Sequence, residues 1–271
     1  MTRLLERFVE RARAAGGRVG AIVIASDGSE ALAVDPDGVY FAASVIKIPL
    51  VMTLFADAAA GLLTLDERVA VGARVDGSGV LRDLRDVEPL TLRDLAALTM
   101  TVSDNTATNR LIERIGVDRV NERLDEWGCP RTRLQRAMFD MDAKARGCEN
   151  LMTPRETASL LSRIARDADR GTEPGVSVLA LMKRNTNLLR LGRYLPGSVT
   201  LAHKDGWGED PDPVNNDVGI VTAKTSMIVA GFTHRVDTAL ARPLLGLLGL
   251  AVAELAGADT TKLPIELAGG A

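Results

Sequence analysis

The sequence predicts an α+β fold, an antiparallel sheet built from both chain ends and flanked by helices, with an all-helical lobe inserted between them. Two observations carry this. β-branched apolar runs with turn signals lie near both termini, and the middle holds capped segments of helical period. A third is size, since 271 residues, 46% hydrophobic, suffice for one large core or two apposed lobes. The expectation is one domain over 1–271, with lobes at roughly 1–43 plus 182–271 and 44–181.

Thr2 to Ala15 places Leu4, Leu5, Phe8, Val9 and Ala12 on one helical stripe, and Gly16-Gly17 stops it. Val19 to Ala25 reads as a strand, Ser26-Asp27-Gly28-Ser29 as a hairpin turn, and Ala31 to Val34 as the return. In the middle, Thr91 precedes Leu92-Arg93-Asp94 as an N-cap with a carboxylate in the first turn. Thr153-Pro154-Arg155-Glu156 reads as a capping box with Pro at the first helical position, and Ala158, Leu161, Ile164 and Ala165 continue the helical period. Toward the end, Ser198 to Ala202, Val218 to Val221 and Thr225 to Thr233 read as strands. Repeats, low-complexity tracts and long linkers are absent from the sequence.

A net charge of −3 gives no basic field for nucleic acid, so a small-molecule or peptide-like acyl substrate is the expected partner. The start alternates charged and apolar residues without an uninterrupted apolar run, which reads as an amphipathic first helix. The chain as written is expected to be cytoplasmic, or exported if a leader was trimmed. The Leu-rich stretch Pro243 to Ala253, interrupted by Gly246 and Gly249, is read as too short to span a bilayer, and a monomer is expected. Cys129 and Cys148 are expected to be free thiols.

Three polar motifs stand out in order: Ser44-Val45-Ile46-Lys47, Ser103-Asp104-Asn105 and Lys204-Asp205-Gly206. In the first, residues i and i+3 share a helical face, so the Lys47 amine can take the proton of the Ser44 hydroxyl. The second adds a hydroxyl and a carboxamide. The third adds a second ammonium and, at Gly206, a strand edge that a substrate backbone can approach. Lys47 and Lys204 are two of only six lysines.

These triplets resemble the S-x-x-K, S-D-N and K-T-G set of class A β-lactamases and penicillin-binding proteins. Phe41-Ala42-Ala43 leads into the first motif in the same manner, and Leu92 to Asn109 is similar to the family's central helix and turn. The resemblance implies a β-lactamase/transpeptidase-like fold and an acylating Ser44 with Lys47 as base. It implies Ser103 as proton relay, Asn105 holding the substrate amide carbonyl, Lys204 lowering the Lys47 pKa, and an oxyanion hole from the Ser44 and Trp207 backbone N–H groups. No cofactor or metal is implied. His203 and His234 lie in no metal-ligand spacing and are read as structural.

The sequence departs from the family at two places. Counting back from Pro154 to the family's deacylating Glu lands on Ala137, and aligning the loop arginine on Arg136 puts Met138 there; neither is a base. Asp140 and Asp142 lie nearby and could substitute as the deacylating base if the loop runs differently, though they are read first as loop carboxylates that order backbone; Glu149 and Asn150 are expected to staple the loop with Arg136. At Asp205 the family places Ser or Thr to bind a substrate carboxylate, so an anionic β-lactam is expected to be repelled. Nor does the polar, acidic entry of the next strand, Asn215-Asn216-Asp217, offer the family's arginine. The expected function is a β-lactamase-related serine hydrolase cleaving a cyclic or linear amide or ester through Ser44. The alternatives are a penicillin-binding or sensing protein acylated without efficient turnover, and an esterase or peptidase that does not act on β-lactams.

Overall fold

The structure, a computed structural model, describes residues 2–209 and 212–261; the rest of the expected lobe at 262–271 lies outside the described residues. Helix α1 (Arg3–Arg13) leads to β1 (Arg18–Ala25), β2 (Glu30–Val34), short β3 (Tyr40–Phe41) and a 3-10 turn (Ala43–Ile46) that runs directly into α2 (Lys47–Ala59). Short strands β4 (Arg68–Val69) and β5 (Leu90–Thr91) precede α3 (Leu92–Thr101), α4 (Asn105–Ile115), α5 (Val117–Glu126) and α6 (Met141–Ala145). Then come β6 (Leu151–Met152), α7 (Pro154–Asp169) and α8 (Gly175–Met182). The chain closes with β7 (Thr200–Gly208), β8 (Val214–Thr222), β9 (Ser226–His234) and α9 (Thr238–Leu255).

Five strands form an antiparallel sheet in the order β2-β1-β9-β8-β7. The two-residue period of the strands divides the core. Ile22, Ala202, Val218 and Phe232 join one hydrophobic cluster with α2, α3 and α7, while Ala21, Val23, Val221 and Val229 join another with α1 and α9. The segment expected to be all-helical differs in two ways. It carries β4 paired with β5, and β6 paired with β3. Its helix α7 also packs directly on β1 and β9, because Leu160, Leu161 and Ile164 share a face that fits the sheet.

The caps follow the chemistry of the sequence. Thr2, Thr91 and Thr153 each accept from a backbone N–H in the first turn of α1, α3 and α7. The capping box at Thr153 is only half formed. The Glu156 carboxylate turns away from Thr153 to accept from Arg131 N (2.9 Å) and Thr132 Oγ1 (2.7 Å), tying α7 to the preceding loop. Helix α9 starts at Thr238, earlier than the Leu-rich stretch suggests, and its 18 residues are long and apolar enough to cross a membrane by length and composition. Here Leu244, Leu245, Leu247, Leu248 and Leu250 are buried in a helix packed against α1, β8 and β9, each contributing about 1.5–3 kcal/mol on burial, while Leu240 stays exposed. Cys129 is buried, with its thiol pushed up to about 12 by that burial, and neither it nor Cys148 is in a disulfide.

Candidate active site

The nucleophile candidate sits on the 3-10 turn and not within a regular α-helix, with Ala43 before it at φ +44°. A non-Gly residue in that region carries strain, which persists only where its surroundings enforce it. The enforcing neighbour is β7. A Cβ on Gly206 would lie 2.7 Å from Ser44 N and 3.0 Å from Val45 N, so only glycine lets the turn close onto the strand. The sequence assigned Gly206 to substrate approach; the structure shows the protein's own backbone making it. Trp207 follows on β7, an edge strand whose outer side has no strand neighbour among the described residues.

Lys47 opens α2 and is fully buried. Its Nζ lies 2.8 Å from Ser103 O, 3.1 Å from Ser103 Oγ and 2.8 Å from Asn105 Oδ1. Burial lowers its pKa well below the usual lysine value and the Lys204 charge lowers it further, against smaller opposing effects of Asp104 and Asp205. Nζ donates to all three of these oxygens, which hold the amine between Ser103 and Asn105.

The Ser103-Asp104-Asn105 segment links α3 to α4, with Ser103 at φ +56°. Asp104, whose role sequence reasoning missed, holds it. Its Oδ1 caps α4 through Ala107 N (2.9 Å), and its Oδ2 accepts from Val80 N (2.7 Å) and Leu81 N (2.8 Å), drawing the 76–81 loop against the site. Asn105 spends one Nδ2 hydrogen on Asp76 O (2.8 Å), leaving the other for a ligand carbonyl.

Asp205 is placed differently from the expectation. Its carboxylate is 3% exposed and accepts from Asn185 Nδ2 (3.3 Å), Asn187 Nδ2 (2.6 Å), Arg190 Nη1 (3.1 Å) and Lys204 Nζ (3.3 Å). Burial alone raises its pKa, yet the charges of Lys204 and then Arg190, with smaller help from His203 and Asn185, hold it below the ordinary carboxylate value. The expected lone repelling charge is therefore a neutralised one. Arg190, 1% exposed, comes from the loop before β7 and also donates to Asn215 Oδ1 (3.1 and 2.9 Å). Sequence reasoning looked for an arginine on the following strand and missed this one, whose only signal was an Arg between leucines ahead of the Lys204 motif. Beside it, His203 Nδ1 pairs with Asp217 Oδ1 (2.8 Å) under the sheet, and the His234 ring lies edge-on to Phe41.

The loop of 135–150 closes the other side. Arg136 pairs with Glu149 (2.6 Å), and Asn150 Oδ1 accepts from Gln135 N (2.7 Å) and Arg136 N (3.1 Å), the staple expected of these residues. Met138 is 9% exposed, and its backbone is clamped by Asn109, which donates to its carbonyl (3.0 Å) and accepts from its N–H (2.8 Å). Asp140 caps α6 by accepting from Ala143 N (2.9 Å), an Asx-type bond, and Asp142 lies exposed in the first turn of α6. A cavity of about 320 Å³ is lined by Ser44, Asn105, Met138, Phe139, Met141 and Trp207 among others. Its lining carboxylates are Glu149, Glu209 and Asp212; Asp140, Asp142 and Asp205 are not among them. Among the described residues no group of three or more His, Cys, Asp or Glu has the disposition of a metal site.

Fold and motif order together define a hydrolase of the serine β-lactamase type. A model of the β-lactamase enzyme family matches residues 3–255, and the chain belongs to that family. It is similar to a β-lactamase from Sphaerobacter thermophilus at 32% identity and TM-score 0.83, over 93% of this chain and 97% of that one. It is also similar to PBP-A, a variant of which was captured as an acyl-enzyme with penicillin G, at 27% identity and TM-score 0.78 over 94% and 97%. An ancestral class A β-lactamase matches at 25% identity and TM-score 0.83, over 93% and 100%. No curated protein matches the chain.

Proposed function

We propose that the protein cleaves a cyclic or linear amide or ester through an acyl-enzyme on Ser44, and that it prefers substrates without a carboxylate at the Lys204 end of β7. The observation that carries the first part is the buried, pKa-lowered Lys47 whose amine meets Ser103 and Asn105 on the turn next to Ser44. As Ser44 Oγ attacks the carbonyl carbon, its proton passes to Lys47, directly or through the Ser103 hydroxyl. The charge on the carbonyl oxygen is met by the N–H groups of Ser44 and Trp207. Collapse breaks the bond to the leaving group, which departs with a proton relayed by Ser103, and water then hydrolyses the ester on Ser44.

The second part rests on Asp205. Its carboxylate lies against both Lys204 and Arg190, the cations a substrate anion would otherwise use, so an anionic ligand gains little there. A second reading is favoured by Met138. A thioether in the position where the family resemblance puts a base leaves deacylation slow, so the protein acts as one that is acylated and holds its acyl group.

Peptide mapping after exposure to benzylpenicillin and to an activated ester tests the proposal. The adduct is expected on the peptide containing Ser44 and is expected to vanish in Ser44→Ala. Labelling of Ser44→Ala at the wild-type rate would remove Ser44 from the mechanism.

A further inference from the structure

We infer that Asn216 is the positioning residue of the oxyanion hole: its side-chain amide holds the turn before Ser44 at the place on the sheet where the Ser44 N–H stands with the Trp207 N–H. The inference rests on the reading of Ser44 as the acylated residue. Asn216 belongs to the polar entry of β8, Asn215-Asn216-Asp217. Its two neighbours are taken up elsewhere, Asn215 by Arg190 and Asp217 by His203. Asn216 points to the opposite face, as strand alternation requires, and toward the segment that leads into the nucleophile.

Fully buried, Asn216 uses both ends of its amide. Its Nδ2 donates to Phe41 O (2.8 Å) and Ala42 O (3.2 Å), and its Oδ1 accepts from Thr233 N (3.2 Å) on the central strand β9. The segment before Ser44 is thereby fastened to the middle of the sheet. It needs fastening, because Ala43, next in the chain, sits at φ +44°, and strain of that kind persists only where neighbours enforce it. Ala42 N donates in turn to Asn150 O (2.8 Å), so Ala42 is fixed through both its N–H and its carbonyl.

Asn216 lies directly opposite Gly206 in the β7–β8 register. One rung of the sheet thus carries the turn twice. Gly206 lets Ser44 N approach β7, where a Cβ would lie 2.7 Å from it, and Asn216 holds the turn in that approach. Trp207 is the next residue on β7, so the spacing of the two proposed oxyanion donors is set at this rung. Asn216 is not among the residues lining the Ser44 cavity, and it therefore acts through the backbone and not on the substrate. An amide is the group this place calls for, with two hydrogens for two carbonyls and an oxygen for the Thr233 N–H.

The test compares p-nitrophenyl benzoate with its thiono counterpart, in which sulfur replaces the carbonyl oxygen, on the wild type, Asn216→Leu and Asn216→Ser. Acylation is read by the p-nitrophenolate burst, and the adduct is mapped to Ser44. Sulfur is larger than oxygen and a weaker acceptor, so donors placed for an oxyanion favour the ester and contribute little to the thionoester. In Asn216→Leu, neutral and close in size, ester acylation is expected to slow about 10–100-fold, the scale of an ångström-sized misplacement. The thionoester rate is expected to stay close to that of the wild type. Asn216→Ser keeps one hydroxyl donor and is expected to fall between. A role confined to stability would lower the melting temperature and leave the ester-to-thionoester ratio of the folded variants unchanged, which would overturn the inference while leaving Ser44 in place. Loss of the fold in both variants by circular dichroism would assign Asn216 to stability alone and overturn it likewise. Absence of a Ser44 adduct from either compound on the wild type would remove the Ser44 reading itself.

Discussion

At the scale of single residues, the proposed chemistry needs Lys47 to give up its proton inside the protein. Lys47 is buried beside the positive Lys204, and both effects favour loss of its proton. Acylation is therefore expected to slow as pH falls and Lys47 takes up a proton, and to reach a plateau on the alkaline side; a stopped-flow pH profile reads this directly. Lys47→Ala is expected to slow acylation by roughly 100-fold or more, the scale of a lost general base. Met138 bears on the opposite half of the reaction. Met138→Glu is expected to speed release of the acyl group while leaving its formation nearly unchanged, so the effect shows in the steady state and not in the burst. Equal release from both proteins would mean that another group activates the water.

At the scale of elements, β7 carries the site because it is an edge strand with a glycine where the Ser44 turn closes on it. Its other face holds the Arg190–Asp205 pair, and removing one partner of a buried ion pair strands the other. Asp205→Asn is expected to destabilise the fold on the order of 3–5 kcal/mol, measured by denaturant unfolding near neutral pH. The sign of the acid dependence follows. Because the folded-state pKa of Asp205 lies below its ordinary value of 3.8, its contribution is present above that value and is lost as pH falls through the lowered one. Asp205→Asn should flatten acid unfolding in that window. The same substitution frees Arg190 and Lys204, so acylation by benzylpenicillin is expected to gain on acylation by its methyl ester. An unchanged ratio would contradict the assignment of Asp205 as an internal counter-ion.

At the scale of the whole molecule, much was legible in the sequence and the remainder was hidden for identifiable reasons. The strands at both ends, the Thr caps and the three motifs declare themselves through short-range pattern, which is why the sequence alone points to Ser44, Lys47, Ser103 and Asn105. Partner choice over long range is not written that way. Arg190 reaches Asp205 and Asn215 only because β7 and β8 pair, and Asp104 reaches Val80 and Leu81 only because the 76–81 loop folds back. Nothing local in the sequence announces the positive φ of Phe139 or the glycine beneath its ring. The half-formed capping box at Thr153 has the same origin, a long-range partner outcompeting the local one.

The proposed acyl-enzyme on Ser44 stands at the centre of these readings, and slow release of its acyl group is the second reading built on it. Time-resolved intact mass after mixing with a small excess of an activated ester tests it most directly. One adduct per chain is expected, formed faster than it decays, mapping to Ser44 and persisting longer in the wild type than in Met138→Glu. A wild-type protein that consumes the ester at tens per second, the ordinary scale of enzymatic turnover, without ever accumulating a mass adduct would contradict it.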